Sequence, residues 1–494
     1  MNREKAQQAG ALDRLSSDQR PVVLDYPRGK KYDSQPAALS IVEPSAALRF
    51  FEEREHEMNR EEIVMVCAPD ISGQVRGKSF PRADLERRSR RGIGWVPTNV
   101  QITTFNSIAD SPFGSLGDLL MVPDPETEVR VDFGDGTPIE HFFLGNILYT
   151  DGRPWECCLR GRLTEALEAL RTETGLELNS AFEIEFQFLD DSPGYGPGFS
   201  LTGLRKKKLF GETYLAALRQ AGVAPDSFLR EWAAQQYEVT MHPQIGIKAA
   251  DHALLIRELA RATAARLDDP VTFTPIRDPA GAGNGVHIHM SLVDGAGKPA
   301  TYDAGGIGGL SEIAGQFVAG ILYHLPSITA LVAPSLISYA RLTPHRWSAA
   351  FNNLGLRDRE ASMRICPVAE LPGMDVAQQF NVEFRAGDSA ASPHLQLAAL
   401  VFAGLDGIRN RMKPPAPTEE DLSLLSAKDL GKRGFVRLPE SLPEALDRLE
   451  KSEAVKSWFG ELFLEVYLKH KRGELKFLDG KTVKEACRLY EQVY

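Results

Sequence analysis

Alternating apolar and polar residues predict a series of short strands in the first third of the chain. Five such runs are separated by turn dipeptides such as Asp-Gly and Ser-Gly, namely IVMVCAPD, VRGKSFP, DLLMVPD, EVRVDFGDG and NILYTDGRPW. This pattern predicts a small, mostly β domain over residues 56–152. Residues 1–55 are polar and interrupted by proline, and we interpret them as an N-terminal extension.

The apolar period changes from two to about 3.6 after residue 152. Amphipathic helices are predicted at LTEALEALRTETG, ETYLAALRQAG and ADHALLIRELARATAARL, and they alternate with strands up to about residue 410. The remainder is predicted to be helical and charged. A second domain over residues 153–494 therefore contains both helices and strands, and the expected fold class is α+β.

One long stretch, residues 314–340, contains no Asp, Glu, Lys or Arg and is long enough to cross a bilayer. It is interrupted by Gln316, His324, Pro326 and Pro334. We therefore expect a buried helix followed by a proline-bounded loop, and no membrane partner.

Charge and cysteine content exclude several other classes of protein. The 494 residues include 57 Lys and Arg against 67 Asp and Glu, a formal net charge of −10, so no global positive field favours nucleic acid. Five cysteines without a C-x-x-C pair indicate neither a disulfide framework nor a structural zinc site. The first residues lack the apolar core of a signal peptide, and a cytoplasmic location is expected.

Three short strands carry charge on one face and apolar residues on the other. In FEIEF, residues 182–186, alternation places Glu183 and Glu185 on one face with Cβ atoms ~6.5 Å apart. VHIHM, residues 286–290, pairs two imidazoles in the same way, and VEFR, residues 382–385, pairs a carboxylate with a guanidinium. Carboxylates with imidazole and no thiolate are a ligand set for Mg²⁺ or Mn²⁺. The alternative is that each strand is half-exposed and its charges are simply solvated.

Glycines and arginines form two further patterns. The G-x-G-x-G run at residues 281–285 leads into a strand, so it does not meet the dinucleotide fingerprint and instead suits close approach of the backbone to a ligand. Between residues 341 and 364 the chain has five arginines, Arg341, Arg346, Arg357, Arg359 and Arg364. Guanidinium groups bind carboxylate and phosphate oxygens, although a salt-bridged surface loop would also explain them.

Taken together, these residues resemble the glutamine synthetase family from about Ile63 to Ile408. The first domain has D-x-x-G-x-x-RGK-x-x-P at residues 70–81 and G-D-L-x-x-x-PD-x-x-T at residues 117–127. The second domain has the following motifs in order: E-x-E from Glu183, Glu231, Q-Y-E ending at Glu238, G-x-G-x-H-x-H-x-S ending at Ser291, S-Y-x-R-L at Arg341, R-x-x-x-x-R from Arg359 to Arg364, and E-x-R from Glu383 to Arg385.

The resemblance implies a β-grasp-like N-terminal domain and a catalytic domain with an antiparallel β funnel surrounded by helices. It implies an enzyme that uses ATP to phosphorylate the γ-carboxylate of glutamate, after which a nitrogen nucleophile displaces phosphate. It also implies a homo-oligomer of stacked rings, a dodecamer, whose active sites are shared between subunits.

Residue roles carried over from the family fall into four sets. Two divalent cations, Mg²⁺ or Mn²⁺, would be held by Glu185, Glu231 and Glu238 and by Glu183, His287 and Glu383. The resemblance places His289 and Ser291 along the ATP phosphates, and Arg341 and Gly283 at the glutamate. Arg359 and Arg364 would face the phosphoryl group, and Arg385 the reacting carboxyl.

The sequence departs from ammonia-using members where ammonium binds. The Asp-Gly-Ser-Ser loop is absent, Asp110 is the only acid in the corresponding segment, and Trp347 stands where those members have a glutamate. The indole of Trp347, together with Trp95 from the segment that replaces the Asp-Gly-Ser-Ser loop, would suit an apolar or aromatic amine such as aniline. The alternatives are ammonia with a relocated acid such as Asp110, an aliphatic mono- or polyamine, and a non-catalytic family member. Asn381 also replaces an arginine that contacts the nucleotide in many members.

Overall fold

A computed structural model describes residues 59–190 and 198–494. The expected N-terminal extension, residues 1–55, lies outside the described residues. The chain divides into residues 1–60 and 61–494, and all elements below belong to the second of these units.

The first sheet has six strands in the order β2-β1-β6-β4-β3, with β5 also paired to β6. Strands β1 and β6 are parallel, and the other pairs are antiparallel. The strands are β1 (Ile63–Pro69), β2 (Val75–Pro81), β3 (Ile93–Trp95), β4 (Leu119–Pro123), β5 (Val129–Val131) and β6 (Glu140–Tyr149). The five predicted runs all contribute strands, whereas the three-residue β3 is too short to give an alternating pattern.

The second sheet has nine strands in the order β13-β14-β15-β12-β7-β9-β8, and β10 and β11 pair with β7. It is antiparallel except for the short pair β13 and β14. The strands are β7 (Leu176–Phe188), β8 (Pro225–Arg230), β9 (Gln236–Met241), β10 (Gln244–Ile245), β11 (Val271–Thr272), β12 (Val286–Asp294), β13 (Leu354–Gly355), β14 (Met363–Ile365) and β15 (Val382–Gly387). This nearly closed, barrel-like sheet confirms the expected fold class.

Helix α1 (Leu85–Arg91) packs against β4 of the first sheet, and the other helices belong to the second domain. They are α2 (Leu159–Thr174), α3 (Leu201–Lys206), α4 (Lys208–Gln220), α5 (Lys248–Leu267), α6 (Glu312–Val332), α7 (Ser338–Arg341), α8 (Val376–Gln379), α9 (Pro393–Arg409), α10 (Ala427–Lys432), α11 (Leu442–Glu450), α12 (Glu453–Phe459), α13 (Glu461–Phe477) and α14 (Val483–Glu491).

Helix α6 is the predicted uncharged helix, and it lies in the core. It is long and apolar enough to cross a membrane by length and composition alone, but 78% of its most hydropathic window is buried inside the protein. It packs against α9 through Gly320 and Gly407, where an added Cβ would meet backbone atoms of the facing helix at 2.2 Å. Its apolar surface is therefore covered by protein.

Candidate functional site

Strand register brings the predicted polar residues onto one face of the second sheet. Across the antiparallel ladders, Glu183 on β7 lies opposite His287 on β12, and Glu185 lies opposite Glu238 on β9. Residues directly opposed in a ladder point to the same face. His289 on β12 and Arg364 on β14 both lie opposite Glu383 on β15. We call Glu183, Glu185, Glu231, Glu238 and Glu383 the carboxylate cluster.

The donor atoms of three of these residues converge closely. One carboxylate oxygen each of Glu183 and Glu238 and a ring nitrogen of His287 all lie within 4.8 Å of one another. Nδ1 of His287 lies 3.3 Å from Oε2 of Glu183 and 3.5 Å from Oε1 of Glu383. The family resemblance assigns Glu238 to the other ligand set, with Glu185 and Glu231, and Glu238 also lies opposite Glu185. The two expected ligand sets are therefore neighbours.

Two members of the carboxylate cluster are compensated by imidazole and guanidinium groups. Burial opposes ionisation of Glu183, but hydrogen bonds from His287 and His289 hold its pKa far below its usual range. Glu383 is only 1% exposed, and both Arg364 and Arg385 bind its carboxylate. Despite burial, the nearby His287 and Arg385 lower the pKa of Glu383.

Within residues 59–190 and 198–494, the other three carboxylates form no ion pair with a cationic side chain, and burial outweighs the nearby arginine charges. Burial raises the pKa of Glu185 to about 7, and Oε2 of Glu185 accepts hydrogen bonds from the amide of Gly285 at 2.6 Å and from Gln236 at 3.2 Å. Burial and the charges of neighbouring glutamates raise the pKa of Glu238 to about 9. Burial also raises the pKa of Glu231, which follows β8.

This donor set fits a divalent cation. Several buried carboxylate oxygens and an imidazole face one another, and their mutual repulsion disfavours ionisation unless a positive charge is placed among them. Oxygen-rich sites of this kind suit Mg²⁺ or Mn²⁺. When bound, such a cation neutralises phosphate and carboxylate charge so that two anions can approach each other.

Arg341 is buried beside the glycine run, and this explains why those positions are glycine. A Cβ on Gly283 would lie 2.8 Å from Cδ of Arg341, and one on Gly285 would lie 2.6 Å from its terminal nitrogen. One terminal nitrogen of Arg341 donates to the carbonyl of Arg385 at 3.2 Å. The other, Nη1, has no hydrogen-bond partner within the described residues. An unpaired buried guanidinium nitrogen is suited to an anionic substrate group.

The remaining predicted arginines lie in the same region. Arg385 donates from Nε to the carbonyl of Arg359 at 2.8 Å, which ties the loop between β13 and β14 to β15. Arg364 contacts the carboxylate cluster through Glu383. The structure thus brings Arg359, Arg364 and Arg385 together.

His289 and Ser291 follow one another on the polar face of β12. Nε2 of His289 lies 3.0 Å from Oε1 of Glu183, and its Nδ1 lies 2.8 Å from Oδ1 of Asn381. Asn381, the departure noted in the sequence, therefore orients this imidazole. Ser291 contacts Asn179 of β7 at 3.4 Å.

Trp347 lies in a loop that contacts the arginine region through its backbone. Its carbonyl accepts a hydrogen bond from Arg385 at 3.3 Å, and its indole belongs to a residue that is 72% exposed. The carboxylate of Glu360 accepts from the amides of His345 and Trp347 at 2.9 and 3.0 Å. Both His345 and Trp347 have positive φ, and Glu360 thereby stabilises an otherwise unfavourable loop conformation.

The structure corrects one part of the expected amine site. Trp95 is only 9% exposed and packs in the apolar core, so it does not offer its indole to an amine. Its neighbour Val96 is exposed instead. Asp110 is an exposed carboxylate 3.4 Å from Nζ of Lys469. The short strand β3 buries Trp95, and this burial was not visible in the sequence.

Family models match almost the whole described chain. The glutamine synthetase catalytic domain matches residues 156–490, and the glutamine synthetase N-terminal domain matches residues 45–155. The chain belongs to the glutamine synthetase family. It is therefore an ATP-dependent carbon–nitrogen ligase, and the carboxylate cluster lies on the sheet of its catalytic domain.

Curated relatives and a solved structure agree with this assignment. The chain is 30% identical to the γ-glutamylpolyamine synthetase GlnA3 of Streptomyces coelicolor, over 84% of this chain and 90% of that protein. It is also 30% identical to the glutamine synthetase of Pyrococcus abyssi, over 87% of this chain and 94% of that protein. A crystal structure described as a novel glutamine synthase homologue superposes with a TM-score of 0.82 at 39% identity, covering 89% of this chain and all of that one.

Sequence reasoning missed Gln236 within this glutamine synthetase site. Its side-chain amide donates to the carbonyl of Gly283 at 2.9 Å and to Oδ1 of Asn284 at 3.0 Å, in addition to its contact with Glu185. The signal was present, because Gln236 lies two residues before Glu238 on β9 and so shares its face. Asn284 is fully buried, and no periodicity could have identified it.

Proposed function

We propose that the protein joins the γ-carboxylate of glutamate to an organic amine through a γ-glutamyl phosphate, rather than to ammonia. The observation that carries this proposal is the contact between the carbonyl of Trp347 and Arg385. Arg385 is the arginine that, by the family pattern, faces the reacting carboxyl. Trp347, which contacts Arg385, carries an indole where ammonia-using members have a carboxylate.

The lack of a carboxylate at position 347 favours a neutral nucleophile over ammonium there. An ammonium ion that leaves water for a protein pocket needs counter-charges, and losing them costs several kcal/mol. The carboxylate of Glu360, which contacts the Trp347 loop, already accepts two backbone hydrogen bonds. An arylamine is neutral near pH 7 and needs no general base.

The shape of the neighbouring surface also supports an organic amine. A cavity of about 330 Å³ lies beside the same loop, and its lining includes His345, Phe351, Asp358 and Glu360. Small-molecule sites typically start near ~300 Å³, far more than ammonia needs. The apolar or aromatic preference now depends on Trp347, since Trp95 is buried. Aliphatic mono- and polyamines are the next class, and acidic side chains in the lining favour them.

We assign the remaining roles as the family pattern gives them. The carboxylate cluster with His287 holds Mg²⁺ or Mn²⁺, and His289 and Ser291 lie along the ATP phosphates. Gly283 and Arg341 bind glutamate, while Arg359 and Arg364 stabilise the transferring phosphoryl group. The buried, unpaired Nη1 of Arg341 supports the glutamate role.

We further propose that subunits assemble into stacked rings, a dodecamer, with active sites shared between the N-terminal domain of one subunit, residues 56–152, and the catalytic domain of the next, residues 153–494. The exposed Trp347 supports this arrangement, since a neighbouring subunit would cover it. Sedimentation of a fully active monomer would contradict shared sites.

The test is the rate of phosphate release and γ-glutamyl amide formation with glutamate, ATP and Mg²⁺ as the amine varies. The panel is ammonium, methylamine, putrescine and aniline at equal concentrations. The proposal predicts a higher kcat/KM with at least one organic amine than with ammonium. A higher value with ammonium than with all three would overturn it and identify a glutamine synthetase.

Substitution of Trp347 sharpens this test. Trp347→Glu supplies a carboxylate in the loop and should raise ammonium-dependent turnover relative to organic amines. Tyr323→Glu is the matched control, because Tyr323 is an exposed aromatic residue on α6 outside the candidate site. An equal change of the amine preference in both variants would assign the effect to overall charge.

A further inference from the structure

Strand pairing brings a thiol beside the carboxylate cluster. Cys366 directly follows β14, and its amide donates to the carbonyl of Asn381, next to β15, at 3.1 Å. His289 and Glu383 lie opposite each other on β12 and β15. A sulfur, a ring nitrogen and a carboxylate oxygen from these three residues lie within 4.8 Å of one another. The sequence pattern showed the imidazole and carboxylate but not the thiol.

The separation between sulfur and nitrogen suits a tetrahedral metal. Sγ of Cys366 lies 3.5 Å from Nδ1 of His289. Zinc bonds of about 2.3 Å to sulfur and about 2.0 Å to nitrogen, at a tetrahedral angle, require a separation of about 3.5 Å between those atoms. Mg²⁺ takes oxygen ligands and gains little from a thiolate, whereas Zn²⁺ prefers sulfur and nitrogen.

We propose that Cys366, His289 and Glu383 form a binding site for Zn²⁺ that is distinct from the Mg²⁺ or Mn²⁺ sites but shares Glu383 with them. Binding converts the thiol to a thiolate and releases its proton to solvent. It also frees Nδ1 of His289 from Asn381 and takes one carboxylate oxygen of Glu383 from its arginine partners. Water completes the fourth position.

Zinc at this site should inhibit the ligase. It occupies His289, which we place along the ATP phosphates, and it withdraws Glu383 from the catalytic cation. Inhibition rests on the proposed function, but zinc binding does not. The two can therefore be tested separately.

Binding is tested with Cd²⁺, a zinc substitute whose bond to thiolate gives an ultraviolet charge-transfer band. The full chain, freed of other divalent cations, is titrated with Cd²⁺ and the band is recorded. We expect the band in the wild-type protein and its loss in Cys366→Ala. Cys487→Ala is the control, since Cys487 is buried in α14 away from the three donors. Cys366→Ser provides a second variant if the alanine variant does not fold.

The outcomes are decisive for the site. Losing Cys366 should weaken Cd²⁺ binding by at least about tenfold, the lower end of what loss of a supporting partner costs a metal site. Absence of the band in the wild-type protein, or an equal band in Cys366→Ala, overturns the proposal. Once the band is established, Zn²⁺ should inhibit amine-dependent turnover equally in the wild-type protein and in the Cys487→Ala variant. If Zn²⁺ binds to both proteins without inhibiting turnover, only the inhibitory role is refuted.

Discussion

Two groups of buried charges in this protein are built in opposite ways. The first, which we call the Arg160 cluster, consists of Arg160 with Asp124, Asn146, Asp251 and His394. Arg160 is 1% exposed and donates to both carboxylate oxygens of Asp251 at 2.9 and 2.8 Å. It also donates to Asn146 and Asp124 at 3.1 and 3.0 Å, while His394 contacts Asp251 at 2.7 Å.

The carboxylate cluster, by contrast, leaves part of its charge uncompensated. In the Arg160 cluster, hydrogen bonds from Arg160 and His394 overcome burial and hold the pKa of Asp251 far below its usual range. In the carboxylate cluster, burial raises the pKa of Glu185 and Glu238. Buried charges that are paired with opposite charges within the chain indicate a structural role. An excess of buried negative charge indicates a site that binds a cation or a cationic part of a substrate.

The largest effect is expected from breaking the Arg160 cluster. Asp251→Asn leaves Arg160 buried without its bidentate partner, and the free energy of unfolding should fall by about 3–5 kcal/mol. Urea denaturation should show the same loss with and without Mg²⁺. The control is Asp151→Asn, since Asp151 forms an exposed ion pair with Arg153. If Mg²⁺ restored the free energy of unfolding of Asp251→Asn to the wild-type value, the Arg160 cluster would not be purely structural.

Breaking the carboxylate cluster should affect activity and leave folding intact. Glu238→Gln removes a metal donor, and kcat/KM should fall by more than about a hundredfold, because divalent cations supply several kcal/mol of charge stabilisation. Stability without metal should stay equal or rise, since one of several repelling carboxylates is gone. Calorimetry with Mg²⁺ and urea denaturation in EDTA measure the two effects. A destabilised metal-free variant would show that Glu238 is structural.

The two clusters should give stability opposite dependences on pH. Raised pKa values mean that Glu185 and Glu238 stabilise the metal-free protein fully below their ordinary value of 4.5, and this contribution is lost as pH rises through about 7 and about 9. The Asp251 contribution is present above its ordinary value of 3.8 and is lost only in strong acid. Each such group changes stability by at most about 1.4 kcal/mol per pH unit.

Urea denaturation from pH 5 to 9 checks this prediction. The metal-free protein should lose stability with rising pH, saturating Mg²⁺ should remove most of the loss, and Glu238→Gln should reduce it. An unchanged slope in Glu238→Gln would assign the pH dependence to other groups.

The smallest effect is expected from removing a neutral hydrogen-bond partner of Arg160 rather than a charged one. Asn146→Ala removes one hydrogen bond to the guanidinium and should cost about 1–3 kcal/mol, less than Asp251→Asn. Thermal unfolding of the two single variants and the double variant measures the difference. A loss in Asn146→Ala as large as that in Asp251→Asn would mean that charge is not what distinguishes the cluster.

The sequence by itself determined which face of each strand carries chemistry. Alternation around Glu183, His287 and Glu383 is a local property of an extended backbone, so each polar face could be predicted from a few neighbouring residues. The family motifs lie within the same short segments and could be identified there. The length and apolar content of α6 likewise predicted a buried helix.

Only the tertiary structure decided how these segments meet. Strand register placed Glu238 beside Glu183 and His287, brought Cys366 to His289, and buried Trp95. The Arg160 cluster joins residues 91 and 143 positions apart in the chain. Such contacts depend on how distant strands and helices close on one another, and short-range periodicity contains no information about that closure.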